Sequence, residues 1–222
     1  MDNLRRRVAA EALGTALLLV AVVGSGIMAE RLSGGNVALA LLANAIATGA
    51  ALYALITLFV PLSGAQFNPV VTLVLAVQGA ERRGAIVPLI AAQVVGAIAG
   101  VAVAHLMFDL PLLQAGLKAR TGLGQWAGEF VATFGLVMVV ELGRRQTPAA
   151  LPALVAAYIT GAYWFTSSTS FANPAVTIAR SLTQSFAGIA PADAPAFIAA
   201  QLLGAFAAML VCRWLVRAKD PV

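Results

Sequence analysis

The segment Asn68-Pro69-Val70-Val71-Thr72 returns later as Asn173-Pro174-Ala175-Val176-Thr177, and each copy sits inside a longer block that also returns. Ala10-Glu11-Ala12-Leu13-Gly14-Thr15 is echoed by Gly128-Glu129-Phe130-Val131-Ala132-Thr133. Thr48-Gly49-Ala50 is echoed by Thr160-Gly161-Ala162, and Ile90-Ala91-Ala92-Gln93 by Ile198-Ala199-Ala200-Gln201. The four pairs keep the same order, so the chain is a duplicated unit. What the duplication implies depends on the solvent around it. The chain is 61% apolar and 10% charged, against about a quarter charged in soluble domains, which places it in lipid. A bilayer core of ~30 Å takes about 20 apolar residues per helix. Six such runs are read at about 8–29, 37–59, 85–108, 125–143, 149–168 and 195–216, three in each unit. An odd number of crossings makes the second unit enter from the opposite side, an inverted repeat whose working site lies near the midplane. The first run is too long for a cleaved leader and carries Glu11, so it is read as mature structure.

The two Asn-Pro dipeptides open stretches too short to cross, Pro69 to Gln78 and Pro174 to Gln184. Ten helical residues rise ~15 Å, half of the core, so two half-helices meeting end to end span it. Proline suits the first helical position because its missing N–H would be unpaired there, and the preceding asparagine caps. Both half-helices therefore start at the centre. The segments before them, 63–67 and 166–172, are irregular backbone at that depth, which survives only when buried in protein or lining a watery cavity.

The net charge of +5 raises nucleic acid as a partner, but its distribution argues against that. Arg5, Arg6, Arg7, Arg82, Arg83, Arg144, Arg145, Arg213, Arg217 and Lys219 fall on one side of the six runs; Arg31, Lys118, Arg120 and Arg180 fall on the other. The bias of positive charge toward the cytoplasm puts both termini inside. Glu11 and Glu129 lie within apolar spans, where a carboxylate must be satisfied. Gln93 and Gln201 are expected to bond across helices. Glu141, near Arg144-Arg145, is read as interfacial. Cys212 and His105 are read as buried or interfacial packing residues, Trp126, Trp164 and Trp214 as anchors or packing, and Gly96, Gly100, Gly204 and Ala208 as close-contact positions.

Paired Asn-Pro motifs on half-helices in an inverted repeat of three spans resemble the aquaporin, or major intrinsic protein, family over nearly the whole chain. The resemblance implies an all-α membrane protein, a right-handed bundle of six transmembrane helices plus two re-entrant half-helices. It is read as one channel domain over 1–222, with repeats at about 8–108 and 125–216. It also implies a homotetramer with one pore per subunit in the cell inner (plasma) membrane, with no cofactor and no nucleic acid. Asn68-Pro69-Val70 and Asn173-Pro174-Ala175 are the motifs, the first with Val for Ala, and Gln66 stands where the family has His. Asn68 and Asn173 would donate to a passing oxygen while half-helix dipoles repel cations. Glu11 and Glu129 would hold the re-entrant loops.

Counting from the motifs, the family's outer filter maps to Thr48, Gly161, Ser170 and Val176. An aromatic at the first and an arginine at the last are usual; neither is present. Gly at the second is the glycerol-passing pattern. The resemblance thus implies a wide, uncharged filter for water and small neutral solutes of glycerol size. Channels linked to bacterial arsenic resistance carry a hydrophobic residue at the arginine position, which adds neutral metalloid species such as arsenite or methylated arsenicals. Arg180, four residues beyond Val176, shares its helix face; it either guards the vestibule from one turn higher, or snorkels to the interface or pairs locally. Rival readings are an ion- or proton-coupled transporter, which also uses inverted repeats and broken helices, a cation channel, and a membrane enzyme. One His, one Cys and two separated intramembrane acids assemble no catalytic group.

Overall fold

The computed structural model describes residues 2–217, and Lys219, one of the charges assigned to the terminal face, lies outside them. Among the described residues, six helices are long and apolar enough to cross a membrane. They are α1 (Asp2–Leu32), α2 (Val37–Ser63), α4 (Arg83–Met107), α5 (Leu123–Gln146), α6 (Leu151–Phe165) and α8 (Ala194–Arg217); α3 (Pro69–Val77) and α7 (Pro174–Arg180) are the half-helices. The first span begins several residues earlier than its apolar run because Arg5, Arg6 and Arg7 continue the helix beyond the hydrocarbon. The α6 helix stops at Phe165, short of the apolar run's end at 168, because Thr166 adopts extended backbone and caps it.

The duplication is visible in the packing. The α1 helix packs on α4 and α2 as α5 packs on α8 and α6, and α2 meets α6 where the halves join. The half-helices cross over, each touching both α4 and α8 as well as each other. Close approaches between helix backbones recur at equivalent sites. A Cβ on Gly96 would lie 2.2 Å from the Ala12 carbonyl oxygen, and one on Gly204 would lie 2.4 Å from that of Phe130. Without a driving force from water inside lipid, such contact between backbones is what holds the pairs together.

Asn68 and Asn173 have extended backbone and cap their helices, accepting from Val70 N at 3.1 Å and Ala175 N at 2.9 Å, with proline next in both. The α3 helix ends at Val77, one residue short of the expected ten. The α7 helix is shorter still, seven residues to Arg180. Its chain leaves the helix to pair with the α4–α5 link: Gly116 N donates to Ser181 O at 2.8 Å and Gln114 N to Leu182 O at 3.0 Å. His105 is part of this seam, fully buried with its ring nitrogens on Leu112 O and Thr183 Oγ1.

Glu141 lies beside Arg144-Arg145 at the end of α5 and is buried within the protein there, covered by Arg145, whose Nη2 reaches its Oε2 at 3.3 Å and also Gln78 Oε1 at the end of α3. Cys212 is buried and free. Trp126 packs beside Phe171, Ile189 and Phe197, whereas Trp164 and Trp214 are exposed on the outer surface.

Candidate functional site

A cavity of about 390 Å³ runs through the bundle, from Arg7, Glu81 and Arg144 at the terminal face to Thr48, Tyr163 and Arg180 at the other end. Its long walls are apolar. Thr48, Leu52, Ile56 and Val60 on α2, and Leu151, Val155, Ile159 and Tyr163 on α6, face it at four-residue intervals, the spacing that keeps side chains on one helix face.

The two loops that deliver Asn68 and Asn173 are strained in the same way. Ala65 and Phe67 have φ of 48° and 49°; Ser170 and Ala172, at the equivalent places, have 53° and 49°. Non-glycine residues in this region cost on the order of 1–3 kcal/mol each and persist only where the surroundings over-determine them. The buried glutamates supply that determination. The Glu11 carboxylate accepts from Ser63 Oγ (2.6 Å), Gln66 N (3.0 Å), Phe67 N (2.7 Å) and Gln93 Nε2 (2.9 Å). Glu129 accepts from Phe171 N (2.8 Å), Ala172 N (2.9 Å) and Gln201 Nε2 (2.6 Å). Gln93 and Gln201 also donate to Thr72 Oγ1 and Thr177 Oγ1, tying each loop to its half-helix.

Across the centre the repeats complete each other. Asn68 Nδ2 donates to Ala172 O at 2.8 Å, and Asn173 Nδ2 donates to Phe67 O at 2.7 Å. A carboxamide has two N–H groups. One in each asparagine is taken by the other loop, and the second has no protein acceptor among the described residues; both residues line the cavity. Pro69, Val70, Pro174 and Ala175 are buried behind them as the first turns of α3 and α7.

Of the four filter positions counted from the motifs, Thr48, Ser170 and Val176 lie on the cavity wall and Gly161 does not. A Cβ at Gly161 would point toward Phe165 instead. Two residues on, Tyr163 takes that part of the wall, its hydroxyl 3.1 Å from Thr48 Oγ1. Spacing did carry a signal for Tyr163, since it continues the Val155–Ile159 series. Arg180 is only 2% exposed and lines the cavity, so it does not reach out to the interface.

Two further groups escaped the sequence reading. Arg120, in the α4–α5 link, is buried and donates to Ser168 O (2.9 Å), Thr169 Oγ1 (3.3 Å) and Gly188 O (2.9 Å), bracing the second loop. At the terminal face Arg7 pairs with Glu81 at 2.5 Å, and Gln66 Nε2 donates to the same carboxylate at 2.8 Å. Burial by itself would raise the Glu81 carboxyl, but hydrogen bonds from Arg7, Gln66 and Arg82 N hold it below the usual range. Gln66 thus works as a bridge, with its Oε1 accepting from Thr72 Oγ1 at 2.6 Å. Neither group has an echo in the other repeat that could have marked it.

Six spans enclosing an apolar passage, with two capped half-helices meeting at its midpoint, define a passive membrane channel for water and small solutes such as glycerol. The chain belongs to the major intrinsic protein family, whose model matches residues 1–162. It is 56% identical to the aquaglyceroporin AqpS of Rhizobium meliloti (strain 1021) over 220 residues, 99% of this chain and 94% of that protein. In fold it is similar to the X-ray structure of the aquaglyceroporin from Plasmodium falciparum, with a TM-score of 0.75 at 19% identity, covering 95% of each chain.

Proposed function

We propose that the passage is a wide-filter pore for neutral solutes of glycerol size, with neutral metalloid hydroxides such as arsenite or methylated arsenicals in the same permeant class. One observation carries this reading: Thr48, Ser170 and Val176, three of the wall positions outward of the asparagines beside Tyr163, Phe171 and Arg180, bear small neutral side chains. Val176 is buried there with no donor to offer. A hydroxylated solute gains the N–H groups of Asn68 and Asn173 that face the cavity at the midplane and slides along apolar walls elsewhere, while a cation meets those donors and the positive ends of α3 and α7.

The aquaglyceroporin name of the 56%-identical relative supports the same solute class. The passage lies within one chain, which supports one pore per subunit; the homotetramer rests on the family resemblance. The domain is then the whole chain, built of two repeats. Basic residues crowd the face that holds the termini, supporting a cytoplasmic placement in the plasma membrane.

The test is light scattering of proteoliposomes challenged in turn with water, glycerol, urea and neutral arsenite. Glycerol and arsenite fluxes that follow their gradients are expected. Water flux without either would refute the wide filter, and uphill accumulation driven by a proton or sodium gradient would refute passive conduction.

A further inference from the structure

We infer that Arg180 is a specificity-determining residue of the pore, supplying from one turn beyond Val176 the fixed positive charge that the outer constriction needs to reject cations. The inference rests on the channel reading above and adds the residue that guards the outer end.

Placement comes first. Arg180 closes α7, lines the cavity and is 2% exposed. It shares a helix face with Val176, also on the wall. Charge is second. Among the described residues the two ion pairs are Arg7–Glu81 and Arg145–Glu141; Arg180 is in neither. An ionised side chain buried at membrane depth without a carboxylate costs several kcal/mol. Arg120, also buried and in neither pair, spends its guanidinium on Gly188 O, Ser168 O and Thr169 Oγ1, whereas Arg180 has one such bond among the described residues, to Ala187 O.

Orientation is third. Arg180 Nε donates to Ala187 O, and the guanidinium carbon lies 3.4 Å from the centre of the Phe171 ring, itself a wall residue. A guanidinium has five N–H groups, and among the described residues the Nε bond is the one that has a protein acceptor. The remaining edge belongs to the passage. The mounting is rigid: Arg180 O accepts from Ile189 N at 3.2 Å, and Phe171 N is held by Glu129. Arg120 packs on the same ring at 4.9 Å and fastens the loop around it.

The chemistry follows from a cation fixed against an aromatic face. Its potential repels a cation before the asparagines are reached, and its N–H groups offer hydrogen bonds to the hydroxyl oxygens of a neutral solute. Val176 leaves room below it, so the charge is retained without the narrowing that an arginine at 176 would impose.

The full-length protein is reconstituted as wild type, Arg180→Leu, Arg180→Gln, Arg180→Lys and the double variant Arg180→Leu/Val176→Arg. Proton and sodium leak is read with a pH dye and a sodium dye, glycerol and water flux by light scattering, and folding by the melting transition in detergent. Leu and Gln should raise cation leak about tenfold or more, the effect of about 1.4 kcal/mol of lost barrier. Lys should stay within about twofold of wild type, and the double variant should recover exclusion while losing glycerol flux. Gln separates charge from donors, since it keeps the second alone. Leak at the wild-type level in folded Leu and Gln variants overturns the assignment. Should Leu and Gln fail to fold, leak in Lys against wild type decides, and a large rise there overturns it too. A wild type that conducts water but no glycerol would sink the solute reading instead, while the leak comparison still judges Arg180.

Discussion

Replacing Glu129 or Glu11 with leucine removes an acceptor that several buried donors share, and the cost can be worked from the bonds. Glu129 serves the backbone N–H groups of Phe171 and Ala172, and Glu11 those of Gln66 and Phe67. A buried donor left unpaired costs about 1–3 kcal/mol, so each leucine loses roughly 2–6 kcal/mol from its two loop amides. These N–H groups have no alternative, because Phe67 and Ala172 are held at φ of 49° with their amides turned toward the glutamate. Glutamine keeps one carbonyl oxygen in place. It loses about half as much, since its NH2 then faces the remaining donor. The order of stability is therefore wild type, then Gln, then Leu, in both repeats. Thermal melting of the purified variants in detergent measures the order, and water flux in proteoliposomes reports whether the loops still shape the passage. Leucine variants that melt with their glutamine counterparts would refute the loop-anchor argument, whatever the flux.

Three further outcomes are expected. Asn68→Asp or Asn173→Asp puts a carboxylate where the free N–H now stands and should raise sodium and proton leak in dye-loaded vesicles; unchanged leak in folded variants removes the asparagines from cation exclusion. Val176→Arg should lower glycerol flux while water flux is largely kept, and Thr48→Phe should act the same way through bulk alone; a glycerol-to-water ratio that neither changes would show that these residues do not set the narrow section. Gly96→Val and Gly204→Val drive side chains into the Ala12 and Phe130 carbonyls and should each lower the melting temperature more than Ala91→Val at an exposed position of α4; equal melting would mean the helix pairs can slide apart freely.

What could be read from the sequence was what the bilayer and the duplication dictate. Span lengths follow from membrane thickness, half-helices from Asn-Pro starts with too few apolar residues behind them, and the pairing of Glu11 with Glu129 and of Gln93 with Gln201 from their places in the repeat. What escaped depends on irregular backbone. The left-handed residues at 65, 67, 170 and 172 are an alanine, a phenylalanine, a serine and another alanine, none of which advertises that conformation. Arg120 gains its role from where a loop folds back. Tyr163 was passed over because counting from Asn173 led to Gly161, on another face of the same helix. Arg180 shared the Val176 face as expected, but its burial depends on the path of 181–190, which no periodicity encodes.

The crossed bonds between Asn68 and Ala172 and between Asn173 and Phe67 bear on how the protein is made. A ribosome releases the first three crossings long before residue 172 exists, so the nascent half waits in the membrane with the Asn68 amide and the Phe67 carbonyl unmatched. These two bonds can therefore form only once both halves are present. Coexpressed fragments divided in the 109–122 link should find each other, whereas either fragment alone should be cleared by membrane proteases.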